Sequence, residues 1–169
     1  MDNAKKREAY KLALAIDPTS RGFGYALFEG PQIPLDWGTT EIRSEQNEQS
    51  LERAKKLIAY YRPEVLVLED CSDEQGRRCQ RIMTLLDQIE EYSSLKKVPV
   101  VRYPSSKIKE VFSFFDIRNK HQIARKICEW LPEFARYLPP ERKPWMSEDR
   151  RMGIFDAVAL VLTYYYLEE

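Results

Sequence analysis

The sequence predicts an α/β domain built on one mixed five-stranded sheet flanked by helices, and three observations carry that prediction. The chain opens with three strand-like runs joined by short turns, the pattern of an antiparallel meander. Two further short apolar runs then alternate with stretches of helical periodicity, as parallel strands with crossover helices do. Finally, the first and fourth of these strands each end in a carboxylate, Asp17 and Glu69, and the last helix carries a third, Asp156.

The elements follow in order. Leu12–Ile16 is a short apolar strand that delivers Asp17, with Pro18 expected to stop it by removing a backbone donor. Gly22 and Gly24 let the chain reverse into a second strand, Gly24–Phe28, and Leu35–Ile42 alternates enough to be the third. After a polar loop over 43–49, Ser50 is placed as the cap of a helix whose apolar positions Leu51, Ala54, Leu57, Ile58 and Tyr61 keep helical spacing, and Arg62-Pro63 ends it. Val65–Leu68 is a buried parallel strand ending in Glu69, with Asp70 behind it. Gln75–Leu95 reads as a long helix with Ile82, Leu85, Leu86 and Ile89 on its core stripe. Val98–Tyr103 is an edge strand because of Pro99, and Pro104 leads into a helix through Phe114. Asn119 caps a helix from Lys120 to about Leu131. The Pro-rich stretch from Pro132 to Met146 reads as a loop with short turns, and Met152–Tyr166 as an apolar helix with a stripe of Ile154, Ala157, Val158, Val161 and Leu162. Asp156 falls at the margin of that stripe, where it either complements the helix dipole or faces a cleft.

Composition narrows the function classes. A chain of 169 residues, 43% hydrophobic and 32% charged, is expected to form a single globular domain over 1–169. No run approaches the roughly 18 apolar residues of a membrane span, and Met1–Glu8 lacks the apolar core of a signal peptide, so no membrane partner and an intracellular (cytoplasmic) location are expected. Three cysteines (Cys71, Cys79, Cys128) without a C-x-x-C pair, and one histidine (His121), argue against a zinc site, a disulfide framework and histidine-based acid–base chemistry. Carboxylates and lysines must carry any chemistry. Net charge is zero, but Leu95–Trp130 holds nine Lys/Arg against three Asp/Glu, whereas Thr40–Ser94 holds eight against twelve. One basic segment in a neutral molecule suits a local phosphate-contacting surface; a solvated helical face has the same composition.

A carboxylate fixed at the tip of a buried strand, with Thr19, Ser20 and turn amides beside it, suits a divalent cation and a phosphate. An ordinary polar turn capped by Asp17 is the alternative. Two buried strands of one sheet each ending in an acid weigh toward the site.

The order of strands, helices and acids resembles the ribonuclease H-like fold, and particular motifs resemble its RuvC-like Holliday junction resolvases. Ile16-Asp17-Pro18-Thr19-Ser20 with Gly24-Tyr25 is similar to the opening I-D-P-G-S-x-x-x-G-Y of that family, Thr19 standing where glycine is usual. Val65–Glu69 resembles its second acidic motif, Pro104–Lys109 its P-S-x-V-K segment, Asn119-Lys120-x-Gln122-Ile123 its D-K-x-Q-V segment, and Asp156–Leu160 its final D-A-x-A-x helix. The matches run in order from residue 12 to 160. The resemblance implies a structure-selective endonuclease cutting branched DNA such as a Holliday junction, as a homodimer, with RNA as a further candidate substrate. It implies catalytic and metal-binding roles for Asp17, Glu69 and Asp156, which would hold two magnesium ions, with manganese as a substitute. Such ions, about 3.5–4 Å apart, activate a water and stabilise the leaving oxygen of a phosphodiester. Phosphate-contacting roles fall to Lys107, Lys109 and Lys120, with Arg125 and Ser20 completing the expected nucleic-acid surface. One departure is clear: the family commonly has a fourth carboxylate one helical turn before the last, and here that position is Gly153. Asp149 lies two turns before Asp156, roughly 10 Å along the axis, so Asp70, Asp73 or Glu148 would have to substitute. Two other readings remain at this stage: a ribosomal-RNA-processing nuclease of the YqgF-like branch, and a non-catalytic binding or scaffold protein on the same fold.

Overall fold

In the computed structural model, which describes residues 10–71, 76–117 and 119–168, the first strand is the centre of the sheet. β1 (Ala13–Thr19) pairs antiparallel with β2 (Gly22–Phe28), which pairs antiparallel with β3 (Pro34–Glu41). On its other side β1 runs parallel to β4 (Val65–Asp70), and β4 runs parallel to β5 (Val100–Pro104), giving the order β3-β2-β1-β4-β5. β5 is an edge strand, as Pro99 predicts.

Pro18 does not stop β1. The β1–β4 ladder ends at Ile16↔Leu68, whereas the β1–β2 ladder continues through Pro18 to Thr19↔Gly22. Beyond Ile16 one flank of β1 is therefore unpaired, and a residue without an N–H is tolerated there.

Strand alternation sorts the side chains into two cores. Leu14, Ile16, Leu66 and Leu68 face α1 (Gln46–Tyr61) and α2 (Arg77–Leu95). Ala13, Ala15, Val65 and Val67 face α3 (Ser105–Ser113), α4 (Lys120–Trp130) and α5 (Met152–Glu168). By the same alternation Asp17 and Glu69, the next odd positions of adjacent parallel strands, project toward the α5 side.

The α1 helix starts four residues before Ser50, which is buried within it and has no hydrogen-bond partner. The extra turn is held by tertiary bonds: Gln46 donates to the Ser20 carbonyl at 2.9 Å and Asn47 to the Arg81 carbonyl at 3.0 Å. Asn119 does cap α4, its side chain accepting from the Gln122 N–H at 2.9 Å. The Pro132–Tyr137 stretch, expected as a loop with short turns, is a 3-10 helix that inserts fully buried Phe134 between Phe28, Trp37 and Phe155. The expected start of α2 at Gln75 lies outside the described residues.

The α5 helix lies across the sheet antiparallel to β1. Near its end the Tyr165 hydroxyl donates to carbonyls of Lys11 (2.7 Å) or Phe28 (2.9 Å) and accepts from the Gly30 N–H (2.9 Å), all at the entry end of β1. At its start Gly153 meets Gly24, where a Cβ would come within 2.0 Å of the Gly153 carbonyl oxygen. This antiparallel run sets Asp156, one turn into α5, over the exit end of β1 where Asp17 stands. Rather than a single stripe, α5 is buried on nearly all sides.

Candidate active site

Three elements that are far apart in sequence bring the three expected acids together. Asp17 is 7% exposed, and it feels the charges of both Glu69 and Asp156. Burial first, then these two carboxylates, push its pKa well above the usual carboxylate range, with Lys120 opposing. Asp156 is raised to about 7: burial is the main cause, Lys120 pulls it down, and Glu148 and Glu69 push it up. In this cluster burial and like charge both disfavour the ionised carboxylates.

Lys120 at the first turn of α4 supplies the nearest compensation. Its Nζ lies 3.2 Å from Glu148 and 3.4 Å from Asp156. Partial burial disfavours its charge, but Asp156, Glu148 and Asp17 together hold its pKa above the ordinary lysine value.

Glu148, from the loop before α5, thus stands beside the expected acids. Asp149 does not. It is turned into its own loop, where Arg151 binds it at 2.7 and 2.9 Å and lowers its pKa. Alternation along β4 turns Asp70 to the face opposite Glu69, and Asp73 lies outside the described residues. The four carboxylates are hard oxygen donors, and they outnumber the one ammonium among them, which is the chemistry a divalent cation answers. Among the described residues, however, no group of three or more Asp, Glu, His or Cys side chains is arranged to hold a metal ion. Holding one would require these side chains to rotate away from their present partners.

Two clefts adjoin the cluster. A small one of about 130 Å³ is lined by Thr19, Ser20, Thr39, Glu148, Gly153 and Asp156, so Ser20 is placed at the site. A larger groove of about 820 Å³ includes Arg21, Lys120, Arg142, Glu148, Arg150 and Arg151 in its lining. Of the expected basic rim, Lys120 lines the larger groove. Lys107 pairs with Glu110 on its own helix at 3.5 Å, and neither it, Lys109 nor Arg125 lines either cleft. The arginines that line the groove come from the β1–β2 turn, the Pro-rich stretch and the segment just before α5, where Glu141, Glu148 and Asp149 offset most of the positive charge in a count along the sequence. The doublet Arg150-Arg151 just before the acid-bearing helix was the available signal.

Fold and site together define a ribonuclease H-like domain with an acidic cluster across adjacent parallel strands. Comparison with solved structures places it beside the Holliday junction resolvases. Thermus thermophilus RuvC in complex with Holliday junction substrate matches with a TM-score of 0.69 at 16% identity, over 94% of this chain and 95% of that one. A second Thermus thermophilus RuvC structure matches at 0.64 and 16%, over 92% and 94%. Fowlpox virus resolvase, in complex with substrate Holliday junction DNA, matches at 0.55 and 14%, over 92% and 99%. No family model and no curated protein sequence matches the chain. Among the described residues no helix is long and apolar enough to cross a membrane.

Proposed function

We propose that this protein is an intracellular, metal-dependent, structure-selective endonuclease that cuts branched DNA, acting as a homodimer because a four-way junction needs two symmetric cuts. The observation that carries this reading is the convergence of Asp17, Glu69 and Asp156 beside an arginine-lined groove, on a fold whose neighbours include resolvases solved with junction DNA. Asp17, Glu69 and Asp156 would hold magnesium or manganese, with Glu148 in reach of the same place. Bound there, the metal would supply charge for the attacking water and the leaving oxygen. Lys120 would exchange its carboxylate partners for a phosphate oxygen, while Arg21, Arg142 and Ser20 hold the strand along the groove. Burial of Asp17 limits the screening of its own charge, which therefore acts strongly at close range.

A second reading, a junction-binding protein without catalysis, draws on Gly153 in place of a fourth acid and on the ion pairs that now engage Asp156 and Glu148. A cleavage assay on four-way junction, linear duplex and structured RNA, each with magnesium or manganese, separates the two. The nuclease reading expects paired nicks in the junction and little cutting of linear duplex. Tight junction binding without cleavage would favour the second reading, and preferential cutting of RNA would overturn the substrate assignment.

A further inference from the structure

Outside the acidic cluster, one pair of side chains is placed for chemistry that the nuclease reading does not use. Cys71 follows β4 two residues after Glu69, and Cys79 lies in the first turn of α2. Their sulfurs are 2.9 Å apart. Crossed hydrogen bonds hold them together: the Cys79 thiol donates to the Cys71 carbonyl at 2.7 Å, and the Cys71 thiol to the Cys79 carbonyl at 3.5 Å. Cys71 is half-buried and Cys79 buried, so an oxidant can reach the first while the second waits behind it. Cys128 lies on α4, which packs on the other face of the sheet.

We propose that Cys71 and Cys79 are a redox-active dithiol that closes to a disulfide, stapling the strand end that presents Glu69 to the start of α2. With a peroxide as oxidant the step balances. The Cys71 sulfur takes one peroxide oxygen as a sulfenic acid and releases one water. The Cys79 sulfur then attacks that sulfur, forming the S–S bond and expelling the oxygen as a second water. Two thiols are oxidised by two electrons and one peroxide is reduced to two waters. A bond of about 2.05 Å needs only a small closing of the present gap, achieved by side-chain rotation. The two cysteines are only eight positions apart in sequence, so the cross-link acts locally, at the strand end that carries Glu69. The pair is independent of the nuclease reading, and its test requires no substrate.

The full-length chain, purified reduced, is treated with one equivalent of hydrogen peroxide, alkylated with iodoacetamide and mapped by mass spectrometry without reduction. The expected result is alkylation at Cys128 alone, a cross-linked pair of peptides containing Cys71 and Cys79, and full reversal by dithiothreitol. Oxidation should raise the melting temperature by roughly 5–10 °C. That rise should vanish in Cys79→Ser and in Cys71→Ser and persist in Cys128→Ser. Alkylation of all three cysteines after peroxide, over-oxidation of Cys71 without a cross-link, cross-links between chains, or a cross-link that leaves melting unchanged would each overturn the proposal.

Discussion

Asp156 and Asp17 store electrostatic work in the folded chain. Asp156 has an ordinary value near 3.8 and a folded value of about 7. Between those values the folded state binds more protons than the unfolded one, so stability must fall as pH rises through that window and then level off. A shift of that size corresponds to about 4 kcal/mol, and Asp17 acts in the same direction. Urea denaturation of metal-free protein at pH 4.5, 6 and 8 should therefore show stability declining with pH, and Asp156→Asn should flatten the slope. Stability that rises between pH 4.5 and 8 would mean the acids are well compensated in the metal-free chain. The same repulsion is what a divalent cation would relieve, so added manganese should stabilise more at pH 8 than at pH 5.

The contact between β2 and α5 determines whether Asp156 reaches Asp17. Gly24 and Gly153 let strand and helix backbones touch, and the two positions tolerate a methyl group very differently. At Gly24 a Cβ meets the Gly153 carbonyl oxygen at 2.0 Å, whereas at Gly153 its nearest neighbour is the Thr39 Cγ2 at 3.3 Å, with the Gly24 Cα and N at ordinary contact distances of 3.7 and 3.8 Å. Gly24→Ala should destabilise by about 3 kcal/mol or more, because backbone must move. Gly153→Ala should stay within about 1 kcal/mol of wild type, the gain in helix propensity offsetting the small adjustment of Thr39. Chemical denaturation of both variants checks this contrast, and equal losses would place the tight contact elsewhere. At this scale the sequence was readable wherever one periodicity governed a segment. The five strands, the capped α4 and the apolar α5 all followed from apolar spacing and turn residues. It was misleading where a tertiary partner decided the outcome. Ser50 has the chemistry of a cap, yet Gln46 and Asn47 gain bonds to other elements and carry α1 past it. Pro18 has the chemistry of a strand breaker, but the missing partner on one flank of β1 makes its lost donor harmless.

Across the whole molecule, the acids were legible because strand order and alternation fix where a strand-end residue points. The arginine lining of the groove was not, because it is assembled from separate loops. Lys120 was found through the motif Asn119-Lys120-x-Gln122-Ile123 at the start of α4, and Glu148 stood only as one substitute among three. Arg21, Arg142, Arg150 and Arg151 gather in space from segments whose acids offset most of their positive charge. Duplex or junction binding should weaken with salt, and Arg142→Ala should reduce the slope of log K against log salt by about 0.9. Lys109→Ala, a substitution on α3 away from the groove, should leave the slope unchanged; the reverse pattern would move the nucleic-acid surface back to α3. Calorimetric titration of manganese into the wild-type chain and into Asp17→Asn at pH 8 is the most direct test of the central claim, that Asp17, Glu69 and Asp156 act as one metal-dependent centre. The account predicts saturable binding to the wild type that is lost or greatly weakened in Asp17→Asn, with the variant still folded by circular dichroism. Absence of binding to the wild type, or equal binding to both proteins, would contradict it.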